Sequence, residues 1–205
     1  MREIPKFYNS IEETKKEIFS LLARGVKDRK SNFHNMVLSS VDNENKPESR
    51  VVVLRGFYPS ELSLKVHSDM RANKIIEIRK NKNISVVFYD DKKKIQLRIR
   101  GYAVINKSPE KSWEKLSNWS KRCYLTLNSP GSKTKEPSSG FPEKFSLNAP
   151  SEKESNQGFK NFCVLNIFIN QIEWLFLASQ GHRRALYEIS RINSKIKIDG
   201  KWLTP

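Results

Sequence analysis

The stretch that decides the fold is Arg50-Val51-Val52-Val53-Leu54-Arg55, an aliphatic segment with an arginine at each end. β-branched residues in a short run are typical of a β-strand. A turn that contains Pro59-Ser60 follows, and residues 62–67 form a second predicted strand. Short strands that follow one another directly favour an antiparallel sheet, because parallel pairing would need a long crossover between them.

The ends of these strands gather polar groups. The second strand finishes in His67-Ser68-Asp69, and a helix is predicted over residues 70–80 with Arg71 and Lys74 in its first turns. Guanidinium groups, a hydroxyl and the free N–H groups of a helix start are the partners that a phosphate group needs. The alternative is that the two arginines of the first strand only flank an edge strand and keep it soluble.

Three helices are predicted. Ser10 and Glu13 form a capping box for the first, and Gly25 is expected to end it. The second is the helix over residues 70–80. The third begins with Ser108 as its cap and Pro109 at the first helical position, and it carries three apolar residues of the following segment.

Further strands complete a mainly β chain. The clearest alternation of apolar and polar residues is Ile95-Gln96-Leu97-Arg98-Ile99-Arg100, after which Gly101 allows a bend or bulge. The remaining strands are predicted at residues 35–41, 84–89, 102–105, 162–169, 172–177, 185–192 and 195–198. Consecutive short strands with few helices indicate an antiparallel barrel with flanking helices rather than a parallel doubly wound sheet.

A chain of 205 residues fits a single domain, 1–205, with one long segment, 128–160, that is rich in Pro, Gly and Ser. So long a segment is usually a functional or a mobile loop. The N-terminus has charged residues where a leader would be apolar, and no apolar run is long enough for a membrane span, so we expect a soluble cytoplasmic protein without a membrane partner.

The charge balance favours anionic ligands. Lys and Arg number 38 against 22 Asp and Glu, which gives a net charge of +16. Many lysines lie in Lys/Asn-rich segments that are typical of solvated turns, and no recognised nucleic-acid motif accompanies them, so nucleic-acid binding is disfavoured. Cys123 and Cys163 are too few for a disulfide framework and lack metal-ligand spacing, so neither disulfide nor metal is expected.

Five motifs occur in an order that resembles the FMN-binding split-barrel family of pyridoxamine 5′-phosphate oxidase, from about residue 36 to the end of the chain, with a gap across the long segment. They are Arg50 to Arg55, His67-Ser68 with Ala72-Asn73-Lys74, Ile95-Gln96-Leu97, Ile172-Glu173-Trp174, and His182-Arg183-Arg184 with Trp202-Leu203-Thr204-Pro205. The resemblance implies a six-stranded antiparallel split β-barrel, FMN as the cofactor and a homodimer with its two flavin sites at the interface.

The resemblance also implies roles for single residues. Arg50, Ser68 and Lys74 would hold the FMN phosphate, and Arg71 could reach the same group. Arg55 and Gln96 would lie beside the isoalloxazine ring, and Arg55 is the candidate for stabilising the reduced flavin. Arg184 would contact FMN from the second subunit. The implied cofactor-binding set is completed by Val51, Leu54, His67 and, after the gap, Ser132.

Departures from the family pattern concern the substrate. The flavin-contacting tryptophan of the family is Leu175 here, and the arginine before the helix lysine is Asn73. The motif His182-Arg183-Arg184 is shorter than that of the family. A separate tyrosine-arginine-serine set, which binds the substrate phosphate in the family, is matched only loosely, around Arg122 and Tyr124. No catalytic residue is assigned, and the roles of the histidines stay open.

These features predict an FMN-dependent oxidoreductase that acts on an unidentified small molecule. One alternative is a genuine pyridoxamine or pyridoxine 5′-phosphate oxidase. An alternative of another class is a non-enzymatic flavin-binding protein or a nucleic-acid-binding protein.

Overall fold

A computed structural model describes residues 4–106, 108–193 and 195–205. Residues 1–3, on which the expectation of no leader partly rests, lie outside these ranges. The helices and strands within them are α1 (Ile11–Lys27), β1 (Asn35–Val41), β2 (Pro47–Val53), β3 (Gly56–Tyr58), β4 (Ser63–Asp69), α2 (Asn73–Lys80), β5 (Asn83–Asp90), β6 (Ile95–Asn106), α3 (Glu110–Glu114), α4 (Asn118–Lys121), α5 (Glu152–Asn156), β7 (Phe162–Phe176), β8 (Arg183–Ile192) and β9 (Lys195–Leu203).

The strands form one antiparallel sheet in the order β2-β1-β5-β6-β7-β4-β3. The first half of β7 pairs with β4, and its second half pairs with β8, which in turn pairs with β9. The described strands do not close into a complete barrel, and the helices flank the sheet. The predicted class, a mainly β antiparallel split-barrel fold with flanking helices, is confirmed.

The sheet has nine strands, whereas the family resemblance implied six for the barrel. One reason is that residues 50–57 divide into β2 and β3. The backbone N–H of Leu54 donates to the carbonyl of His34 at 2.8 Å, and that of Arg55 donates to the carbonyl of Lys65 at 2.8 Å. The chain therefore changes its neighbour from β1 to β4 at this point, and the deciding stretch links two parts of the sheet.

Gly101 lies at an irregularity in the pairing of β6 with β7. The register between the strands shifts between Arg100 and Gly101, so Asn170 has no direct partner on β6 and forms a bulge. A Cβ atom at position 101 would lie 2.0 Å from the carbonyl oxygen of Phe168. Only glycine allows this contact, and the predicted irregularity at Gly101 is confirmed.

Helix α1 covers the inner face of the sheet. The hydroxyl of Ser10 accepts a hydrogen bond from the backbone N–H of Glu13 at 3.3 Å, which is one half of the predicted capping box. The Glu13 carboxylate pairs with Lys16 instead. The prediction that Gly25 ends the helix is wrong, since α1 continues to Lys27. A Cβ atom on Gly25 would lie 2.3 Å from the carbonyl oxygen of Phe33, so this glycine allows close packing instead.

The core lies between α1, α2 and the inner face of the sheet. Its fully buried members include Ile18, Leu22, Leu38, Leu64, Val86, Leu97 and Trp174. A second, smaller cluster around Trp113 and Phe162 packs beneath α3. The third predicted helix is divided into α3 and α4, because the hydroxyl of Ser117 accepts from the backbone N–H of Ser120 and starts a new helix. No helix of the described residues has the length and apolar character to cross a bilayer.

Candidate functional site

The start of α2 is a helix N-terminus that the protein leaves open. The carboxylate of Asp69 accepts from the backbone N–H of Arg71 at 2.8 Å, which shapes the turn after β4 and delays the helix to Asn73, three residues later than predicted. Ala72 occupies the capping position without a side-chain acceptor, and the first turn holds no acidic residue. Its N–H groups are therefore available to an anion.

Lys74 points a cation into this opening. Its Nζ donates to the Ser68 hydroxyl at 3.2 Å, and no carboxylate of the described residues lies within 4.0 Å of it. An ammonium group has three donors, so two remain for another acceptor. Burial lowers the pKa of Lys74, and the nearby charge of Arg50 lowers it further. Arg50 and Lys74 thus repel each other in the protein alone, and a bound anion would relieve that repulsion.

Arg50 is already partly neutralised. Its Nη2 donates to the carboxylate of Glu77 at 2.9 Å, and its Nη1 donates to the hydroxyl of Ser40, which itself donates to Glu77. Glu77 is buried on α2, one turn beyond Lys74. The structure therefore brings Arg50, Ser68 and Lys74 to one place, as predicted, and adds the carboxylate of Glu77, which sequence reasoning missed. The sequence did hold a signal for Glu77, since residues three apart on a helix lie on the same face and Glu77 follows Lys74 by three.

Arg71 lies at the same helix start but is turned toward other partners. Two of its nitrogens donate to Asp69, at 3.0 and 2.7 Å, and two donate to the carbonyl and hydroxyl of Thr126, at 3.0 and 2.8 Å. The side chain joins the long segment to the turn before α2. Its contact with a phosphate stays a prediction.

Arg55 and His67 lie together beyond the phosphate residues. Arg55 is exposed, and no carboxylate of the described residues lies within salt-bridge distance of it. His67 is half-buried with its ring edge-on to Phe162 at 5.1 Å. Burial, and then the charges of Arg55 and Lys65, lower the pKa of His67 to about 4. The imidazole is therefore neutral at physiological pH.

Gln96 and Arg184 lie on the outer face of the sheet. We use this name for the face that points away from the core and carries Val37, Val51, Tyr89, Gln96, Arg98, Glu173, Leu175, Arg184 and Leu186. Gln96 and Arg184 are both direct neighbours of Leu175 across β7, so the three form one row. Glu173, in the adjacent row, accepts from Arg184 at 3.0 Å and from Arg98 at 2.7 Å.

The two groups of predicted residues lie at opposite ends of β7. Ser68 pairs with Cys163, whereas Gln96 and Arg184 pair with Leu175, twelve residues further along the strand. Twelve residues of extended strand span up to about 40 Å. A single chain therefore brings the residues predicted for the phosphate together and, separately, the residues of the outer face.

Three other residues of the predicted cofactor-binding set belong to neither of these groups. Val51 is 68% exposed on the outer face, away from the inner-face side chain of Arg50. Leu54 is completely buried in the core, so a ligand could meet only its backbone. Ser132 is exposed in the long segment, with its hydroxyl 2.9 Å from that of Ser129, and lines a cavity of about 380 Å³ formed by residues 126–141.

The shortened motif near the C-terminus separates its two arginines. Arg183 lies over the ring of Tyr8 at 3.9 Å and donates to Asn9 at 3.3 Å. Arg184, the next residue of β8, is directed to Glu173 on the outer face. Neighbouring residues of a strand point to opposite faces, and the motif has no spacer between them.

Arg122 is the loose match to the family residues that bind the substrate phosphate, and here it anchors the long segment. Its guanidinium lies between the rings of Trp119 and Phe141, at 3.6 and 4.6 Å from their centres, and donates to the carbonyls of Phe145 and Ser146 at 2.7 and 3.1 Å. These contacts leave little of the side chain for a substrate. No cluster of metal-ligating residues occurs in the described part of the chain.

Comparison with known proteins identifies the relatives of this chain. Residues 15–107 match the family model of pyridoxamine 5′-phosphate oxidase, FMN-binding domain. This match includes every predicted cofactor residue except Ser132 and Arg184. No curated protein sequence matches.

Solved structures with the same fold extend over the whole chain. A pyridoxamine 5′-phosphate oxidase-related, FMN binding protein from Nostoc punctiforme is similar with a TM-score of 0.71 at 21% identity, over 93% of this chain and 96% of that chain. PhzG from Burkholderia lata is similar with a TM-score of 0.71 at 16% identity, over 100% of this chain and 99% of that chain. The family match over residues 15–107 and the shared fold confirm the predicted resemblance to the FMN-binding proteins related to pyridoxamine 5′-phosphate oxidase.

Proposed function

We propose that this protein binds FMN as a homodimer and transfers electrons between the flavin and a small organic molecule. The observation that carries the proposal is the pairing of Lys74 with Ser68 at the open start of α2. This place offers an ammonium with unused donors, a hydroxyl and helix N–H groups within a family whose model is that of an FMN-binding domain. The donor set fits a phosphate monoester, which FMN has and riboflavin lacks.

The flavin supplies hydride or electron transfer when it is bound, and the protein supplies position and charge. Arg50 and Lys74 would bind the phosphate, with Glu77 holding the Arg50 guanidinium in place. Arg55 would stand near the ring as a cation without a carboxylate partner, and a cation there stabilises negative charge on a reduced flavin. His67 would stay neutral beside it and could accept or donate a hydrogen bond.

The spacing along β7 supports the proposed dimer. Within one chain, Ser68 lies beside one end of β7, and Gln96 and Arg184 lie beside the other end, up to about 40 Å along the strand. Both residues would therefore reach a flavin from the second subunit, whereas the sequence assigned only Arg184 to that subunit. A closed two-fold arrangement would then make two equivalent sites.

The outer face has the composition expected of a dimer interface. Val51, Val37 and Tyr89 are 68%, 37% and 45% exposed on β2, β1 and β5. Half-buried Leu175 and Leu186 lie on the same face beyond the polar residues of β6. Exposed apolar side chains on one sheet face, interleaved with polar ones, are typical of an interaction surface. The same face carries Gln96 and Arg184, so one contact would bury the apolar residues and bring these two side chains to the partner.

The substrate is proposed only as a class. The Burkholderia lata relative was solved in complex with tetrahydrophenazine-1-carboxylic acid, so this fold accepts a carboxylated ring compound. A small ring molecule with an acidic group also suits a chain with a net charge of +16. Oxidation of pyridoxamine 5′-phosphate is the second candidate. It is disfavoured because Arg122 is occupied by the long segment and Arg183 by Tyr8 and Asn9.

The test is an absorbance spectrum of the purified protein, followed by calorimetric titration with FMN, FAD and riboflavin and by sedimentation at micromolar concentration. We expect a yellow dimer that binds FMN more tightly than the other two flavins. Equal affinity for riboflavin would contradict the phosphate site, and FMN-bound monomers would contradict the shared site. Tight binding of nucleic acid by a colourless protein would favour the alternative class.

A further inference from the structure

A single buried carboxylate organises the cations of the outer face. One oxygen of Glu173 accepts from Nε and Nη2 of Arg184, at 3.1 and 3.0 Å, and the other accepts from Nη2 of Arg98 at 2.7 Å. Glu173 is 8% exposed, whereas the side chain of Arg98 is 42% exposed and that of Arg184 is 32% exposed. The carboxylate is therefore covered by two guanidinium groups that still face outward.

The balance of charge and donors is unusual for a purely structural ion pair. One arginine would neutralise Glu173, and the second leaves the group with a net positive charge. Arg98 shares one N–H with the carboxylate and Arg184 shares two, of the five that each guanidinium carries. Two N–H groups hold the planar guanidinium of Arg184 against the carboxylate, whereas one N–H holds that of Arg98.

The register places this group beside the predicted flavin contacts. Arg98 and Glu173 are direct partners across β6 and β7, and Gln96 and Leu175 are the next pair on the same face. Arg184 adjoins Leu175 on β8. Arg98, which neither the family motif nor the sequence prediction assigns, therefore stands two residues from Gln96 and shares its carboxylate anchor with Arg184.

We infer that Glu173 is a positioning residue that aims Arg184 and Arg98 at the flavin bound by the partner subunit. The inference rests on the proposed function and extends it to two residues, Glu173 and Arg98. Glu173 acts through the arginines and has no contact with the cofactor of its own. Its loss would leave both guanidinium groups mobile, and directed hydrogen bonds to the flavin would be lost with them.

The experiment separates position from charge with two variants of the full-length dimer. Glu173→Gln keeps the shape and removes the charge, and Glu173→Asp keeps the charge but is too short to reach both arginines. If Glu173 positions the arginines, both variants should bind FMN about tenfold more weakly, the loss of roughly one oriented contact. If only local charge matters, Glu173→Gln should bind FMN more tightly and Glu173→Asp should match the wild type.

The control is Glu188→Gln, which removes the same charge from an exposed pair with Lys201 on β8 and β9. We expect its FMN affinity to equal that of the wild type. Sedimentation shows whether each variant still dimerises. If the Glu173 variants do not fold, Arg98→Lys, which keeps the charge but loses the planar fork, tests the other residue of the inference and should bind FMN about tenfold more weakly. Wild-type protein that binds no FMN would overturn the proposed function. Wild-type binding with unchanged affinity in dimeric Glu173 variants would overturn this inference alone.

Discussion

Lys74 gives the sharpest test of the phosphate site. Its ammonium is half-buried, its one hydrogen-bond acceptor among the described residues is the Ser68 hydroxyl at 3.2 Å, and burial and Arg50 lower its pKa. The protein alone therefore gains little from this cation. A bound phosphate would gain a charge-assisted contact worth about 2 kcal/mol. Lys74→Met should weaken FMN binding by that amount, which is roughly 30-fold in Kd.

Riboflavin provides the internal control, because it lacks the phosphate. The affinity of Lys74→Met for riboflavin should equal that of the wild type in the same calorimetric titration. Unfolding of the FMN-free variant by urea should show equal or greater stability, since methionine carries no charge to desolvate. Opposite changes in affinity and stability are the signature of a residue kept for binding.

The matched control is Lys80→Met at the other end of α2, where the side chain is exposed and donates to the carbonyl of Asn43 at 2.8 Å. This change removes the same charge from the same helix, and FMN affinity should stay as in the wild type. An equal loss of FMN affinity in both variants would show that only overall charge matters. An equal loss of FMN and riboflavin affinity in Lys74→Met would refute the phosphate contact.

Arg50→Ala should also weaken FMN binding by about 2 kcal/mol, but it is a less clean test. Arg50 pairs with the buried carboxylate of Glu77 at 2.9 Å. Removal of the arginine would leave that carboxylate unpaired and should lower the free energy of unfolding by about 3 kcal/mol. Affinity must therefore be measured at a temperature where the variant is shown to be folded.

Four further predictions concern other parts of the molecule. With pyridoxamine 5′-phosphate, the FMN-loaded protein should show a specificity constant roughly two to four orders of magnitude below that of an authentic oxidase assayed alongside; equal values would contradict our account of the lost substrate grip. The pKa of His67 is lowered to about 4 from 6.5, so the free energy of unfolding should fall as pH decreases from 6.5 toward 4, by roughly 1 to 2 kcal/mol after allowance for solvent. In urea unfolding at several pH values, His67→Gln should lack this decrease. Burial raises the pKa of Cys163 to about 11, so a thiol reagent should titrate only exposed Cys123 until the protein unfolds. Gly101→Ala should cost about 3 kcal/mol in unfolding free energy, because its Cβ would meet the Phe168 carbonyl; an unchanged midpoint would show that the strands can separate there.

Local patterns in the sequence were enough for most elements of the fold. β1 spans Asn35–Val41 as predicted, and the alternation after residue 95 marks β6 with its inner and outer faces. These signals depend on side chains that are neighbours along the chain, because burial of one strand face imposes a period of two. Gly25 shows where such signals fail. A glycine near the end of a helix is typical of a cap, but its contact with Phe33 depends on tertiary packing.

The types of residue at the candidate site could also be predicted from the sequence. Ser68 and Lys74 meet because the end of β4 and the start of α2 are joined by a short turn, whereas Arg50 reaches them from the middle of β2. Their identity as cations and hydroxyl donors already indicated an anion. Family resemblance added FMN as the expected ligand, and the match over residues 15–107 supports a flavin.

Only the tertiary structure decided which cations have partners. Arg50 meets Glu77 across 27 residues, and Arg98 meets Glu173 across 75. It also placed Gln96 and Arg184 at the far end of β7 from Ser68. Such pairings depend on strand register and on which strands are neighbours in the sheet, and these follow from how the whole chain buries its apolar faces rather than from any short segment.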